Sequence, residues 1–73
     1  MKRFGNVTRK VNAILEVFED GERLNGREIV GRLQKEGYQV NDAHLKMFIY
    51  YNMLYKYLRK EEVKGINQYS LIT

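Results

Sequence analysis

Only four residues, 37–40, separate the second and third helices that this sequence predicts, and this short connection is its strongest constraint on the fold. Asn41, directly after the connection, is suited to cap the third helix, since its side-chain oxygen can accept from a free backbone N–H. Val40 before that cap and Leu45 four residues after it can form a hydrophobic staple. The staple fixes the angle at which the chain enters the third helix.

The first predicted helix covers about residues 7–19, where apolar side chains recur at helical spacing. Asn6 is its predicted N-cap and Gly21 its predicted stop. Phe4 lies just upstream and is expected to fold back on the apolar stripe. That stripe consists of Val7, Val11, Ile14, Leu15 and Phe18.

The second predicted helix covers about residues 26–36 and ends at Gly37. Asn25 and Glu28 have the spacing of a capping box at its start. Gly31 inside the helix costs about 1 kcal/mol relative to alanine. We therefore expect a close helix–helix crossing there, where a side chain does not fit. The buried side is predicted to consist of Ile29, Val30 and Leu33.

The third predicted helix covers about residues 41–57 and has two apolar sides. The core side consists of Leu45, Phe48, Ile49, Asn52 and Met53. A second stripe on the opposite side consists of Ala43, Met47, Tyr50 and Leu54. Exposed apolar patches mark interfaces, so Leu54 is expected to form a dimer contact together with Tyr51 and Tyr57.

The remaining segment, residues 58–73, predicts a β-hairpin. Tyr69 and Leu71 alternate with polar neighbours, as in a half-buried strand. Gly65 and Asn67 allow a turn between two strands. A helix over residues 58–63 is the alternative, because glutamate and lysine are good helix formers.

The composition describes one small domain and excludes several classes of site. The chain has 73 residues, 44% hydrophobic and 30% charged, which is typical of a globular domain. With no cysteine and one histidine, His44, disulfides, thiolate metal sites and histidine clusters are excluded. No apolar run approaches the ~20 residues that span a membrane, and no signal-peptide core is present. We expect a cytoplasmic protein without cofactor, membrane association or small-molecule effector.

The charge balance favours a polyanionic partner over a catalytic function. There are 13 basic and 9 acidic residues, for a net charge of +4 and a pI of about 9.5. Such a surplus on a small domain points to nucleic acid. Ser70 has no histidine at a recognisable spacing, and the adjacent carboxylates at 19–20 and 61–62 point apart. We therefore do not expect an enzyme.

Three helices, the tight connection and a terminal hairpin together resemble the winged helix-turn-helix family of DNA-binding domains, which includes small regulators of prokaryotes, viruses and plasmids. The segments that carry the resemblance are LNGREIV at 24–30, VNDAHL at 40–45 and KGINQYSL at 64–71. The last is similar to the family's frequent basic-Gly-x-x-x-Tyr-x-Leu ending. In one departure, Tyr-Lys-Tyr-Leu at 55–58 replaces the family's usual glycine after the third helix. The third helix would then run longer, or turn without a left-handed residue.

The resemblance implies an α+β fold, a three-helix bundle with a C-terminal hairpin called the wing. Residues 1–73 would form a single winged-helix domain, with a basic arm at 1–6 and the wing at 58–73. The third helix would enter the major groove of double-stranded DNA, and the wing would touch an adjacent groove or the backbone. The chain would regulate transcription as a homodimer. A winged helix that binds protein instead is the alternative, which the second apolar stripe favours.

Position in the predicted elements selects the DNA-contacting candidates. Arg27 opens the second helix and Lys64 lies at the wing tip, so both suit phosphate contacts. Lys46 on the third helix could reach a phosphate or a guanine edge, or could be an ordinary solvated lysine. The full set of candidates is Arg27, Asn41, His44, Lys46, Met47, Tyr50, Lys64, Asn67 and Gln68.

Other charged and aromatic residues allow two interpretations each. The cluster of Tyr50, Tyr51, Tyr55 and Tyr57 could stack on unpaired bases or pack at the core rim and an interface. Lys2, Arg3, Arg9 and Lys10 could follow DNA or remain solvated. Structural roles are expected for Tyr38 and Tyr69, and surface pairing with Glu28 and Glu36 for Arg32 and Lys35.

Overall fold

Three helices and a three-stranded antiparallel sheet make up the protein, in a computed structural model that describes residues 5–72. The elements are α1 (Val7–Glu16), β1 (Leu24–Asn25), α2 (Gly26–Lys35), α3 (Asp42–Asn52), β2 (Leu58–Val63) and β3 (Ile66–Leu71). The predicted α+β class, the three helices and the C-terminal hairpin are thus confirmed. The expectations for Lys2, Arg3 and Phe4 lie outside the described residues.

Each helix begins directly after an asparagine that caps it, as predicted. Asn6 Oδ1 accepts from the backbone N–H of Arg9 at 2.8 Å. Asn25 Oδ1 accepts from the N–H of Glu28 at 2.9 Å, and the Glu28 carboxylate accepts from the N–H of Asn25 at 3.0 Å. This reciprocal pair is the predicted capping box. Asn41 caps α3 through its side-chain oxygen in the same way.

The helices end earlier than predicted, and the error is largest at α3. Residue 57 was the predicted end, but α3 stops at Asn52. The carbonyl of Ile49 accepts from the N–H groups of both Met53 (2.9 Å) and Leu54 (2.8 Å). The carbonyl of Met53 then accepts from the N–H groups of residues 56–58 at 3.1, 2.9 and 3.2 Å. These bonds turn the chain out of the helix and direct it into β2.

The turn after α3 contains a left-handed residue, which neither predicted alternative allowed. Tyr55 has φ 64°, and its N–H donates to the carbonyl of Leu58 at 2.7 Å. A glycine is the usual occupant of such a conformation because it has no Cβ. Here a tyrosine occupies it instead. The expectations of a longer helix or of a turn without such a residue are therefore both wrong.

The sheet has β3 at its centre, between β1 and β2. Strand β2 pairs with β3 from Leu58↔Leu71 to Val63↔Ile66, so the strand at 58–63 is confirmed and the helical alternative is wrong. The two-residue connection of Lys64 (φ 53°) and Gly65 (φ 80°) has the positive φ angles of a type I′ turn. Strand β1 was not predicted.

The core lies between the three helices and the base of the hairpin. Eight side chains are almost fully buried there, namely Ile14, Leu24, Ile29, Leu33, Leu45, Ile49, Met53 and Leu58. Tyr69 is buried and Tyr38 packs against the core, as predicted. The close crossing expected at Gly31 is wrong, because a Cβ at that position would meet nothing within 4 Å.

The predicted pairing of Arg32 with Glu28 or Glu36 along its own helix is wrong. It forms a two-pronged ion pair with Glu22 in the loop before β1, with one bond of 2.7 Å from Nη2. Its Nη1 also donates to the carbonyl of Val17 at 2.7 Å. Arg32 thus joins α2 to the end of α1. The hydrogen bond from Arg32 lowers the pKa of the Glu22 carboxyl, and the same bond raises the pKa of Arg32.

No helix within residues 5–72 has both the length and the apolar character needed to cross a membrane.

Candidate nucleic-acid interface

Three separate elements line one groove, which we call the wing groove. Arg27 at the start of α2, Lys46 on α3 and Asn67 on β3 line it together with Gly65 of the hairpin turn. Lys64 immediately precedes that glycine at the tip. The fold therefore brings three of the predicted DNA-contacting side chains to one concave surface, with a fourth at its edge. Arg27, Lys46 and Lys64 are all exposed and carry positive charge.

The floor of the wing groove depends on a glycine at the first position of α2. A Cβ at Gly26 would lie 3.0 Å from Asp42 Oδ1 and 3.5 Å from Lys46 Cε. The start of α2 and the first turns of α3 are therefore in direct contact. A side chain at position 26 would crowd Asp42, which would have to shift slightly.

Asp42 is the one carboxylate that lines the wing groove. Its Oδ1 is buried and has no hydrogen-bond partner within residues 5–72. It lies in the first turn of α3 and against the first residue of α2, where the positive ends of both helix dipoles favour a negative charge. Burial raises the pKa of Tyr69, and the charge of Asp42 raises it further. Asp42 thus contributes local negative charge to the groove that Arg27 and Lys46 also line.

The outward side of α3 is apolar and aromatic. Met47, Tyr50 and Tyr51 expose 58%, 63% and 71% of their surface. The predicted stripe does not continue to Leu54, because that residue follows the end of the helix and packs half-buried against the core. Met47 and Tyr50 are therefore accessible to a partner, whereas much of the Leu54 side chain packs against the core.

The four tyrosines of the cluster are all exposed, Tyr57 least of them. Tyr50, Tyr51 and Tyr55 expose 63–71% of their surface and Tyr57 exposes 45%, so none of the four is buried in the core. The rings of Tyr50 and Tyr51 meet edge to face, with centroids 5.1 Å apart. Stacking on bases and contact with a second copy stay predictions.

Two of the predicted DNA-contacting residues, Asn41 and His44, lie away from the wing groove, on the side of α3 that faces α1. His44 and Lys46 are two residues apart, which is about 200° around a helix. Asn41 and His44 line a shallow groove beside α1 together with Lys10, whose Nζ lies 4.4 Å from the centre of the Phe48 ring. The Asn41 side-chain oxygen accepts from two backbone N–H groups at 2.9 and 3.2 Å. That oxygen is occupied by the helix cap.

Gln68 is separated from its neighbour Asn67. Side chains alternate between the faces of a strand, so the two residues point to opposite sides of the sheet. Asn67 lines the wing groove, whereas Gln68, paired in the sheet with Asn25 and Glu61, does not. Asn67 and Gln68, both predicted to contact DNA, therefore do not share one surface.

Three cations near the tyrosines were not singled out from the sequence. Lys56, Arg59 and Lys60 are exposed on the turn after α3 and on β2. The available signal was a charge run, since residues 43–60 contain four lysines or arginines and no aspartate or glutamate. The next acidic residue, Glu61, forms an ion pair with Arg23 at 3.1 Å.

Comparisons with family models, with curated proteins and with solved structures find no match to this chain.

Proposed function

We propose that this chain is a winged-helix protein that binds double-stranded DNA and regulates transcription. In this proposal α3 enters the major groove, and the β2–β3 hairpin serves as the wing against the neighbouring backbone. The arrangement of three helices and an antiparallel sheet is compatible with that fold. The net charge of +4 supports a polyanionic partner.

One observation carries the proposal. The wing groove collects Arg27, Lys46 and the hairpin tip from three elements that are distant in sequence. A helix-turn-helix protein needs this arrangement, because positioning contacts and base contacts must reach one duplex together. We assign Arg27 and Lys64 to phosphate contacts, and Lys46 to base edges.

The test compares Lys64→Ala with Lys46→Ala on two duplexes. The preferred site is first selected from a random duplex library, and a scrambled duplex is the reference. Lys64→Ala should weaken binding to both duplexes and reduce the salt slope by about one. Lys46→Ala should lose about 1–3 kcal/mol on the preferred site and much less on the scrambled one.

Lys35→Ala is the matched control, because Lys35 is an exposed lysine on α2 outside the wing groove. It should change neither affinity nor salt slope. If Lys46→Ala weakens both duplexes equally, Lys46 contacts only phosphate. If neither Lys46→Ala nor Lys64→Ala changes binding, duplex recognition through the wing groove is wrong.

A second candidate function is a protein-binding winged helix, which the exposure of Met47, Tyr50 and Tyr51 favours. We also propose that the DNA-binding form is a homodimer, since small domains gain stability from a second copy. Sedimentation at micromolar concentration tests this point. A monomer that binds its site tightly would contradict the homodimer, and a dimer without affinity for any duplex would favour the second candidate.

A further inference from the structure

We infer that Tyr50, Tyr51, Tyr55 and Tyr57 form a stacking surface for the unpaired bases of a single-stranded nucleic acid. We call these residues the tyrosine surface. The inference extends the proposed function, and rests on it only for the choice of nucleic acid as partner. Such a surface would hold an opened or single-stranded segment beside a duplex in the wing groove.

The first argument is the position of the rings. All four tyrosines come from residues 50–57, at the C-terminal end of α3 and in the turn that follows. Each leaves 45–71% of its surface exposed, and Tyr50 and Tyr51 support each other edge to face. Exposed rings on a fixed scaffold suit base stacking, which tolerates any sequence because every base has a π-face.

The second argument is the backbone of Tyr55. Its φ of 64° is costly for any residue with a Cβ, and glycine would remove that cost. Tyr55 exposes 71% of its surface and lies outside the buried core, so packing does not explain the tyrosine. Strained residues of this kind concentrate at functional sites. A need for an aromatic ring at this turn explains why a tyrosine occupies it.

The turn also holds the rings firmly. The Met53 carbonyl accepts three backbone N–H groups, and the side chain of Met53 is completely buried. The N–H of Ile72 donates to the carbonyl of Tyr57 at 3.0 Å, which ties the end of β3 to the same turn. The tyrosine surface is therefore anchored on both sides.

The third argument is charge, which favours a nucleic acid over a second copy of this chain. Residues 50–60, which include all four tyrosines, contain three lysines or arginines and no acidic residue. Lys56 lies between Tyr55 and Tyr57, and Arg59 and Lys60 follow on β2. Two copies meeting through this segment would bring like charges together, whereas a phosphate backbone would be attracted.

The experiment measures binding of the full chain to labelled oligo(dT), oligo(rU), an abasic oligonucleotide of the same length and a blunt duplex. Tyr55→Gly should weaken oligo(dT) binding by about 5- to 150-fold, the range for loss of one stacked base. Tyr51→Leu should weaken it as well, whereas Tyr51→Phe should retain it. The abasic oligonucleotide should bind weakly. A preference for oligo(rU) over oligo(dT), or the reverse, assigns the bound strand to RNA or DNA.

Lys64→Ala separates this inference from the proposed function. It should weaken binding of the blunt duplex and leave oligo(dT) binding unchanged. Oligo(dT) binding that depends on Tyr55, without any affinity for duplex, would support the tyrosine surface and reject the proposed function. Equal binding by Tyr51→Leu and Tyr51→Phe would overturn the inference. So would Tyr55→Gly protein that binds oligo(dT) normally and no longer self-associates in sedimentation, because the surface would then be a dimer contact.

Discussion

The two turns that flank β2 each contain a non-glycine residue with a left-handed backbone, but they are supported differently. At the turn after α3, the Met53 carbonyl accepts three N–H groups and its side chain is completely buried. At the hairpin tip, Val63 and Ile66 beside Lys64 and Gly65 are exposed. The first turn belongs to the core, whereas the second depends on its own backbone geometry. Truncation of a side chain should therefore destabilise the fold more at the first turn, whereas at the second turn backbone conformation should matter more than side-chain packing.

The largest difference in unfolding free energy is expected between truncation of the buried Met53 at the first turn and of the exposed Ile66 at the tip. Met53→Ala should lower the free energy of unfolding by about 2–5 kcal/mol, because it leaves a cavity in the core. Ile66→Ala at the tip should change it by less than about 0.5 kcal/mol. Urea denaturation of both variants measures the two values. Similar losses would show that the tip is as firmly packed as the turn after α3.

The next effect isolates backbone conformation at the tip. Ala at Gly65 would meet no atom within 4 Å, yet φ there is 80°. Gly65→Ala should therefore cost roughly 1–2 kcal/mol of stability through strain alone. Gly31→Ala is the matched control, since that position is equally open but helical, and it should add about 1 kcal/mol. If both variants were stabilised, or both destabilised, the positive φ at Gly65 would not explain the effect of Gly65→Ala.

A smaller effect is expected from removing strain at the turn after α3. Tyr55→Gly should raise the free energy of unfolding by roughly 0.5–1 kcal/mol, because the relief at φ 64° exceeds the added entropy of the unfolded chain. Tyr57→Gly, at a position without positive φ, should lower it instead. Thermal melts of both variants provide the comparison. Destabilisation by Tyr55→Gly would mean that the ring of Tyr55 stabilises the fold.

The smallest effect concerns the ion pair of Glu22 and Arg32, which lies outside both turns. This ion pair makes the stability of the fold depend on pH in the acid range. The hydrogen bond from Arg32 holds the pKa of Glu22 below its ordinary 4.5. Its stabilisation is therefore complete above pH 4.5 and is lost as the pH falls through the lowered pKa.

Glu22→Gln should consequently be slightly less stable than the natural chain at neutral pH. The two proteins should converge as the pH drops below 4.5, as followed by the urea midpoint at a series of pH values. A constant difference across the acid range would mean that the charge of Glu22 contributes nothing.

Local rules predicted more of this protein than long-range ones. The caps at Asn6, Asn25 and Asn41 follow from residues within one helical turn, and all three are present. The burial of Met53 follows from helical spacing, but the end of α3 depends on the backbone turn in which the Met53 carbonyl accepts three N–H groups, and helical spacing does not indicate that turn. The partner of Arg32 is ten residues away in another element.

The candidate site shows the same limit. The order of the elements was enough to place Arg27, Lys46 and the hairpin tip near each other. The separation of Gln68 from Asn67 requires the register of β3, and the exposure of Arg59 and Lys60 requires that of β2. Met47 and Tyr50 were recognised from helical spacing, because that face depends only on α3.

Strand β1 is only two residues long, but it joins distant parts of the chain. Leu24 lies opposite Tyr69, and Asn25 both pairs with Gln68 and caps α2. Leu24 and Tyr69 are 45 positions apart in the sequence. Closing a loop of about that length costs about 3 kcal/mol of chain entropy. This pairing should therefore form late in folding, after the helices and the hairpin have reduced the search. We therefore expect the start of α2 and the hairpin to assemble together, and this pairing of distant segments to limit the folding rate of the domain.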